Sequence, residues 1–559
     1  MPGNTLFTKN QCSIKIFIFA CMIYVYAIKK RCLLVVVFFS CLFATTELFG
    51  QLIYQPYTYQ FYQKLNTSLY SINTNEHTSM KPYFISDSSA IKKQYDSLLF
   101  VKTDYSHKNW LKRTFLPKHQ IDVKTNDYNI FFDFLWDVEK GNDYLGKSST
   151  ILNSRGFQFG ATVGKNFYIY TSLYENQGKF PNYINDYINA KRLVPSEYPV
   201  NVLPYSNGST DWSRVTSIIG YKPAKNILLT LGQDKIFIGD GYRSLLLSDN
   251  APNYPFFKFS IDLTKSIQYT SIWAYFQDRN APNFNVFTNN RRKYGVFHYI
   301  DWNITKRASV AFFNALISEE ADNQGNLHGF DLNIINPILF SPALGPSTQV
   351  ADHTLAGLNV KYKLFDKTSI YGQFVMDQTI NSGLSNSTGY QIGVRGSDLF
   401  FLKHLNYLFE YNTVSPSVYY GQNAIVNYTH FGDPLGDPFG ANFKELLGIV
   451  NYTIDKFDFQ FEGYYVNLAN NLGYNDYGSE IQVVNYVNLP QIINNSGVGV
   501  PATIKFAEGT LGYMLNPKYN LKIEVGALLR QEKSSQTDTK TALLTIGFKS
   551  GFRNLYRDF

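Results

Sequence analysis

The sequence predicts an all-β fold: one large transmembrane antiparallel β-barrel of about 16–18 strands, preceded by a small, partly helical periplasmic element. Three observations predict it. Apolar and polar residues alternate with period two over long runs. Aromatic residues reach 17% of the 559-residue chain, with 45 Phe and 43 Tyr. Tight links rich in Asn, Asp, Pro and Lys take turns with long irregular stretches. This composition is not that of a disordered chain, which would be poor in aromatics. Beyond the N-terminus no run of ~20 apolar residues exists to form a spanning helix.

Residues 1–50 read as a targeting segment. Two apolar runs, 14–28 and 32–44, flank Lys29, Lys30 and Arg31. The second has the form of a secretory signal, a basic start followed by a short apolar stretch, with cleavage near Gly50. Met22 would open the same signal without the first run, so the start reads as over-extended. All four cysteines, Cys12, Cys21, Cys32 and Cys41, fall in this leader. The exported chain therefore has no disulfide, thiol nucleophile or Cys-zinc site. About half of the formal charge of +8 also belongs to the leader, which leaves too mild a balance to suggest nucleic acid.

Residues 51–125 lack regular alternation and form the N-terminal element, with short helices expected within 57–71 and 89–100. From residue 126 to 559 the chain reads as barrel. In 128–139, Tyr128, Ile130, Phe132, Phe134, Trp136 and Val138 alternate with Asn129, Asp133, Asp137 and Glu139. Similar runs occupy 156–164, 167–174, 213–221, 227–233, 267–277, 294–302, 309–315, 355–362, 369–375, 389–394, 457–462, 503–513, 519–527 and 541–549. A soluble sandwich also alternates. The membrane reading rests on run lengths near the ~9–11 residues that cross a bilayer, and on aromatics near run ends, such as Trp273, Tyr294 and Trp302. Phe559, with Tyr556 three residues earlier, stands where bacterial barrels carry a terminal aromatic for the barrel assembly machinery. Tight links at 165–166, 223–226, 303–306, 365–367, 455–456 and 516–518 alternate with long stretches at 176–211, 236–266, 281–292, 317–352, 413–444 and 467–500. That is the asymmetry of a bacterial outer-membrane barrel.

Residues 239–251 (GDGYRSLLLSDNA) are the most distinctive stretch. Together with Pro255, Phe256, Phe257 and Lys258 they resemble the Wzi-like capsule-assembly outer-membrane proteins, in particular the Bacteroidetes branch that includes gliding-motility proteins of the RemB type. Residues 59–66, 77–84, 371–374 with Asp377, and 428–445 fit the same branch. The resemblance implies a non-enzymatic outer-membrane barrel that organises capsular polysaccharide at the cell surface, supports gliding, or both. The implied partners are surface polysaccharide, outer-membrane lipid, and gliding or other cell-surface proteins; no cofactor is implied. The competing reading from another class is a diffusion porin or uptake channel. A filled lumen separates the first from the second, which requires a continuous water path.

Asp240, Tyr242, Arg243, Asp249 and Asn250 are the candidate glycan contacts. Carboxylate and guanidinium groups bond hydroxyls, and a tyrosine ring stacks on the apolar face of a sugar. The competing reading is structural: the loop folds into the lumen and Arg243 meets a carboxylate there. Gly239 and Gly241 permit the tight path in either case. His430, Asp433 and Asp437, like Glu319, Glu320 and Asp322, have metal-ligand chemistry at spacings that match no established site, and His298 and His328 are isolated. No nucleophile elbow, zinc-protease motif or phosphate loop occurs. The expectation is a protein without catalytic residues or metal.

Overall fold

The computed structural model describes residues 52–559 except 87–88, 102–106, 199–207, 279–289, 322–325, 328–351, 378–386, 417, 422–423 and 471–499. The leader lies outside the described residues. Eighteen strands close into one antiparallel barrel. They are β1 (Tyr128–Asp143), β2 (Ser148–Val163), β3 (Phe167–Lys179), β4 (Thr210–Ala224), β5 (Ile227–Asp234) and β6 (Tyr254–Asp262). Next come β7 (Ile267–Asp278), β8 (Arg291–Asn303), β9 (Ala308–Glu319), β10 (His353–Phe365), β11 (Thr368–Asp377) and β12 (Thr388–Ser397). The circuit ends with β13 (Leu405–Val414), β14 (Phe443–Ile454), β15 (Phe457–Asn470), β16 (Val500–Asn516), β17 (Leu521–Ser534) and β18 (Asp538–Lys549).

Each strand pairs with its sequence neighbour, and β18 closes on the upper half of β1, from Leu543↔Asp143 to Phe548↔Val138. The lower half of β1 extends past β18. There the short strand Ile121–Lys124 pairs with Asn129–Phe132. Residues just before it seal the seam: the Asn516 amide donates to the carbonyls of Phe115 (2.8 Å) and Lys118 (2.9 Å).

The strand faces settle which medium lies on each side. In β1, Phe134, Trp136 and Val138 are exposed, while Asp133 and Asp137 are 0% and 3% exposed. Phe461 (56%), Leu529 (61%) and Ile546 (59%) repeat the pattern on β15, β17 and β18. Apolar side chains cover the outside and charged ones the inside. This inverts a water-soluble sandwich and matches a barrel wall in lipid. Phe461→Arg, near mid-wall, should therefore cost about 2–4 kcal/mol, read as a lower urea midpoint for folding into lipid vesicles.

All six tight links named from sequence fall at one end of the barrel, together with the start of β1 and the end of β18. The strand ends joined by the long connections lie at the other end, the side that in bacterial barrels carries the longer, extracellular loops. Two expectations need correction. The stretch 236–266 is not one loop, because β6 runs through it. Nor does Phe559 end the last strand: β18 stops at Lys549, and residues 550–559 turn back into the lumen. They do so because Arg553 meets Asp137 at 2.7 Å and Arg557 meets Glu139, both on the inner face of β1.

Three strands escape the period-two reading: β6, β13 and β14. In β14, Leu446 and Leu447 are adjacent, as are Ile449 and Val450. Leu447 and Ile449 point inward and are buried in the same apolar cluster as the lumen loops. A lumen packed with protein accepts apolar residues on both faces of a strand, so the alternation dissolves where the packing is densest.

The N-terminal element lies against the inside of the tight-link end. Its helices are short: the single turns Tyr59–Tyr62 and Asn66–Leu69, then Lys92–Leu98 and Trp110–Phe115. Thr58 caps the first by accepting from the Phe61 N–H at 3.3 Å. Lys64 pairs with Asp458, Gln60 accepts from Lys522 (2.6 Å), and Ser71 bonds Asp366 (2.9 Å) in the β10–β11 turn. Met80–Lys81 forms a two-residue ladder with Phe237–Ile238, so this element is stitched directly to the loop that descends from the opposite end.

Candidate functional site

Residues 235–253, between β5 and β6, leave the wall and cross the lumen. Leu245, Leu246 and Leu247 have no exposed surface. Leu246 fills the space above Gly357, where a Cβ would come within 2.4 Å of its side chain. Gln373 on β11 holds the loop backbone, accepting from the Leu245 N–H (2.8 Å) and donating to the Ile238 carbonyl (3.0 Å). Gly241 lets the backbone come close to the Glu410 carboxylate, which a Cβ there would displace.

The five candidate glycan residues all lie inside the barrel with protein partners. Asp240 accepts from Tyr70 (2.9 Å), Thr78 and Asn359 (3.1 Å), with Lys361 at 3.7 Å. Tyr242 donates to the Asp558 carboxylate at 2.8 Å. Arg243 forks between Glu445 (3.2 Å) and Asp558 (2.9 Å) and also donates to the Asp558 carbonyl (2.8 Å). The Asp249 carboxylate accepts from Asn554 (2.8 Å) and Tyr556. Asn250 donates to the Pro434 carbonyl at 3.3 Å. Four of the five thus bind either the C-terminal tail or the wall, and Asn250 binds the second inward loop.

That second loop, residues 415–442 between β13 and β14, packs onto the first. Tyr419 and Tyr428 stack at 5.5 Å and donate to the carbonyls of Leu245 (2.7 Å) and Leu246 (2.6 Å). Sequence reasoning misses both tyrosines as lumen fasteners; no pattern distinguishes them among 43 tyrosines. His430, Asp433 and Asp437 do not converge. Burial and nearby Lys293 lower the His430 imidazole to about 3. It is therefore neutral, and its Nδ1 accepts from the Gln277 N–H (3.0 Å). Asp433 bonds Tyr187 on the helix Asn182–Lys191. Burial and the adjacent Glu445 push the Asp437 carboxyl up. Glu319 and Glu320 pair with Arg291 (3.5 Å) and Arg292 (3.7 Å). His298 bonds the Tyr269 hydroxyl (2.8 Å), while Asp322 and His328 fall outside the described residues. Among the described residues no three His, Cys, Asp or Glu side chains group as metal ligands.

Burial alone would raise the Asp240 carboxyl, but Lys361, Lys81 and the bonds from Thr78 and Asn359 outweigh it and hold the group well below the carboxylate range. A depressed acid stabilises the fold fully above its unfolded value, near 4, and loses that share as pH falls through the folded value. Urea midpoints taken from pH 7 downward should therefore fall more steeply in the native protein than in Asp240→Asn.

The N-terminal element, both inward loops, the helix Asn182–Lys191 and the tail meet inside the wall. A polar space of about 170 Å³ remains near the tail, bordered by Glu462, Glu508, Lys522, Arg553 and Arg557. The described residues thus form a filled barrel, in which inward side chains such as Arg243, Arg553 and Arg557 are held by carboxylates.

Wall, polarity and loop asymmetry define the class: an outer-membrane β-barrel. No protein-family model matches the chain, and no curated protein matches it. Among solved structures it is similar to Wzi of Escherichia coli, an outer-membrane protein involved in group 1 capsule assembly and described as a carbohydrate-binding β-barrel. The TM-score is 0.51 at 13% identity, covering 90% of this chain and 100% of that one. OprD of Pseudomonas aeruginosa gives 0.40 at 9% identity over 78% of this chain and 98% of that one. OccAB2 of Acinetobacter baumannii gives 0.41 at 10% identity over 75% and 97%. At such identities the likeness is one of fold.

Proposed function

We propose that this barrel is a non-enzymatic outer-membrane anchor that binds or organises surface polysaccharide, as in capsule retention or gliding over surfaces. The observation that carries this reading is the filled lumen. An 18-strand wall encloses room for an aqueous channel, and here that room holds the N-terminal element, two loops and the tail. A protein that fills its own pore gains rigidity at the outer rim instead of conductance. In this reading Asp240, Tyr242, Arg243, Asp249 and Asn250 act as the frame that fixes the exterior loops, and those loops meet the glycan. Weak contacts repeated along a polymer then supply avidity. The resemblance of residues 239–251 to capsule-assembly and gliding proteins, and the described carbohydrate binding of the E. coli barrel of similar fold, support the same reading.

Deletion of the gene, followed by capsule staining and filming of cell spreading, tests it. Loss of cell-bound polysaccharide or of spreading is expected. Normal capsule together with normal motility would reject the proposal.

A further inference from the structure

The outer surface of β14–β18 carries a feature that the filled lumen does not explain. Across these strands the register aligns Phe461, Gly509, Ala527 and Leu544 in one outward row. The small residues leave a recess of about 450 Å³ in the wall, and a Cβ on Gly509 would meet nothing within 4 Å. The recess is apolar, walled by Phe461, Leu511, Val525 and Leu544. It opens onto the lipid-facing belt and is continuous with it.

Two register rows nearer the exterior, the chemistry changes. Lys505 and Lys540 stand in one row with Tyr465, and Lys444 and Lys533 in the next. All four lysines are exposed and point outward. Among the described residues Asp538 is the one acid in these two rows, and it sits 3.5 Å from Lys540. Lys533 faces the same Asp538 across the strand pair, so one carboxylate serves two lysines, and Lys444 and Lys505 have no acidic partner among the described residues. On the outer face of β2 and β3, by contrast, Arg155 faces Glu175 in register. Tyr465 marks the level as the membrane interface, where aromatic girdles lie.

Spacing identifies the ligand class. Adjacent strands lie ~4.8 Å apart and successive outward rows ~6.8 Å apart, so Lys505, Lys533 and Lys540 spread over roughly 10–12 Å, while Lys444, four strands from Lys540, stands about 20 Å from it. One phosphodiester reaches only part of the field of the first three; a headgroup with two or more phosphates covers it. The recess below accepts acyl chains beside those of the bulk leaflet. We propose that the β14–β18 face is a site for a phosphorylated outer-leaflet lipid with more than two acyl chains. The lysines bind its phosphates, and a chain lies over Gly509 and Ala527. This inference does not rest on the polysaccharide reading.

The test uses the full exported chain, purified in detergent and folded as judged by heat-modifiable mobility. Hexa-acyl lipid A bisphosphate is the probe, with phosphatidylglycerol as the diacyl comparison, and retained lipid is read by native mass spectrometry. Selective retention of the bisphosphate probe is expected. Lys505→Gln/Lys533→Gln/Lys540→Gln should weaken it by at least about tenfold, given the contribution of each basic residue at a charged membrane surface. The corresponding triple Arg variant should retain it. Gly509→Leu/Ala527→Leu fills the recess and should also weaken retention without touching the charges. Equal retention by the Gln variant, equal binding of phosphatidylglycerol, or no effect of filling the recess would each overturn the proposal.

Discussion

Arg243→Ala should destabilise the folded barrel by about 3–5 kcal/mol, the range for removing one partner of a buried ion pair. The Arg243 side chain is 3% exposed and neutralises Glu445 and Asp558, themselves 0% and 5% exposed. Its guanidinium also lies over the rings of Tyr242 (5.0 Å), Phe439 (5.5 Å) and Tyr464 (5.8 Å). Truncation leaves two buried carboxylates without their counter-ion beside Asp437, whose own carboxyl is already pushed up by burial and by Glu445. Arg243→Lys should recover only part, because an ammonium cannot fork between both carboxylates. The readout is the urea midpoint in detergent. Lys225→Ala, at the exposed β4–β5 turn, is the control and should stay within about 0.5 kcal/mol. A loss in Arg243→Ala no larger than the control would remove the loop–tail pairing from the account of stability. Adding Glu445→Gln and Asp558→Asn to Arg243→Met should restore a measurable share, since the uncompensated charges are then gone.

In planar bilayers the native protein should show no large steady openings, whereas a doubly emptied variant should conduct. The required variant lacks residues 52–100 and carries a short Gly-Ser link in place of 416–441. The first change clears the tight-link end, where Lys64–Asp458 and Tyr70–Asp240 hold the element in place. The second removes the Tyr419–Tyr428 stack that fastens the descending loop. Either deletion alone leaves one end obstructed; with both, the loop 235–253 loses its Tyr419 and Tyr428 fasteners and only it, the helix Asn182–Lys191 and the tail remain, so conductance should rise sharply only when both are combined. An unfilled wall of 16–18 strands encloses an aqueous channel, which makes the plug alone responsible for closure. Steady conductance by the native chain would instead favour the diffusion porin.

Much of the wall is legible in the amino-acid sequence. Fifteen of the strands lie on stretches with visible alternation, because a wall between lipid and polar side chains imposes period two on every residue it contains. The tight links are legible for a related reason: hairpin turns need Asn, Asp, Gly or Pro at few positions, and these stand out locally. The features that stay hidden lie inside the barrel. β14 is obscured because Leu447 and Ile449 face a packed lumen rather than water. The tail is obscured because its terminal aromatic suggests a strand end, whereas Phe559 packs on Tyr183 (5.7 Å) and Tyr187 (4.7 Å).

Local patterning therefore decides wall, turns, outward face and direction of the loops, since each follows from neighbours within a few residues and from the solvent on either side. The plug is decided by contacts between residues 150 to 400 positions apart, among them Tyr70 with Asp240, Arg243 with Asp558, and Lys64 with Asp458. A carboxylate in the chain carries no local mark of which distant cation will neutralise it. Closing the barrel brings these groups into one low-dielectric space, and there leaving any of them unpaired costs more than folding the loops inward.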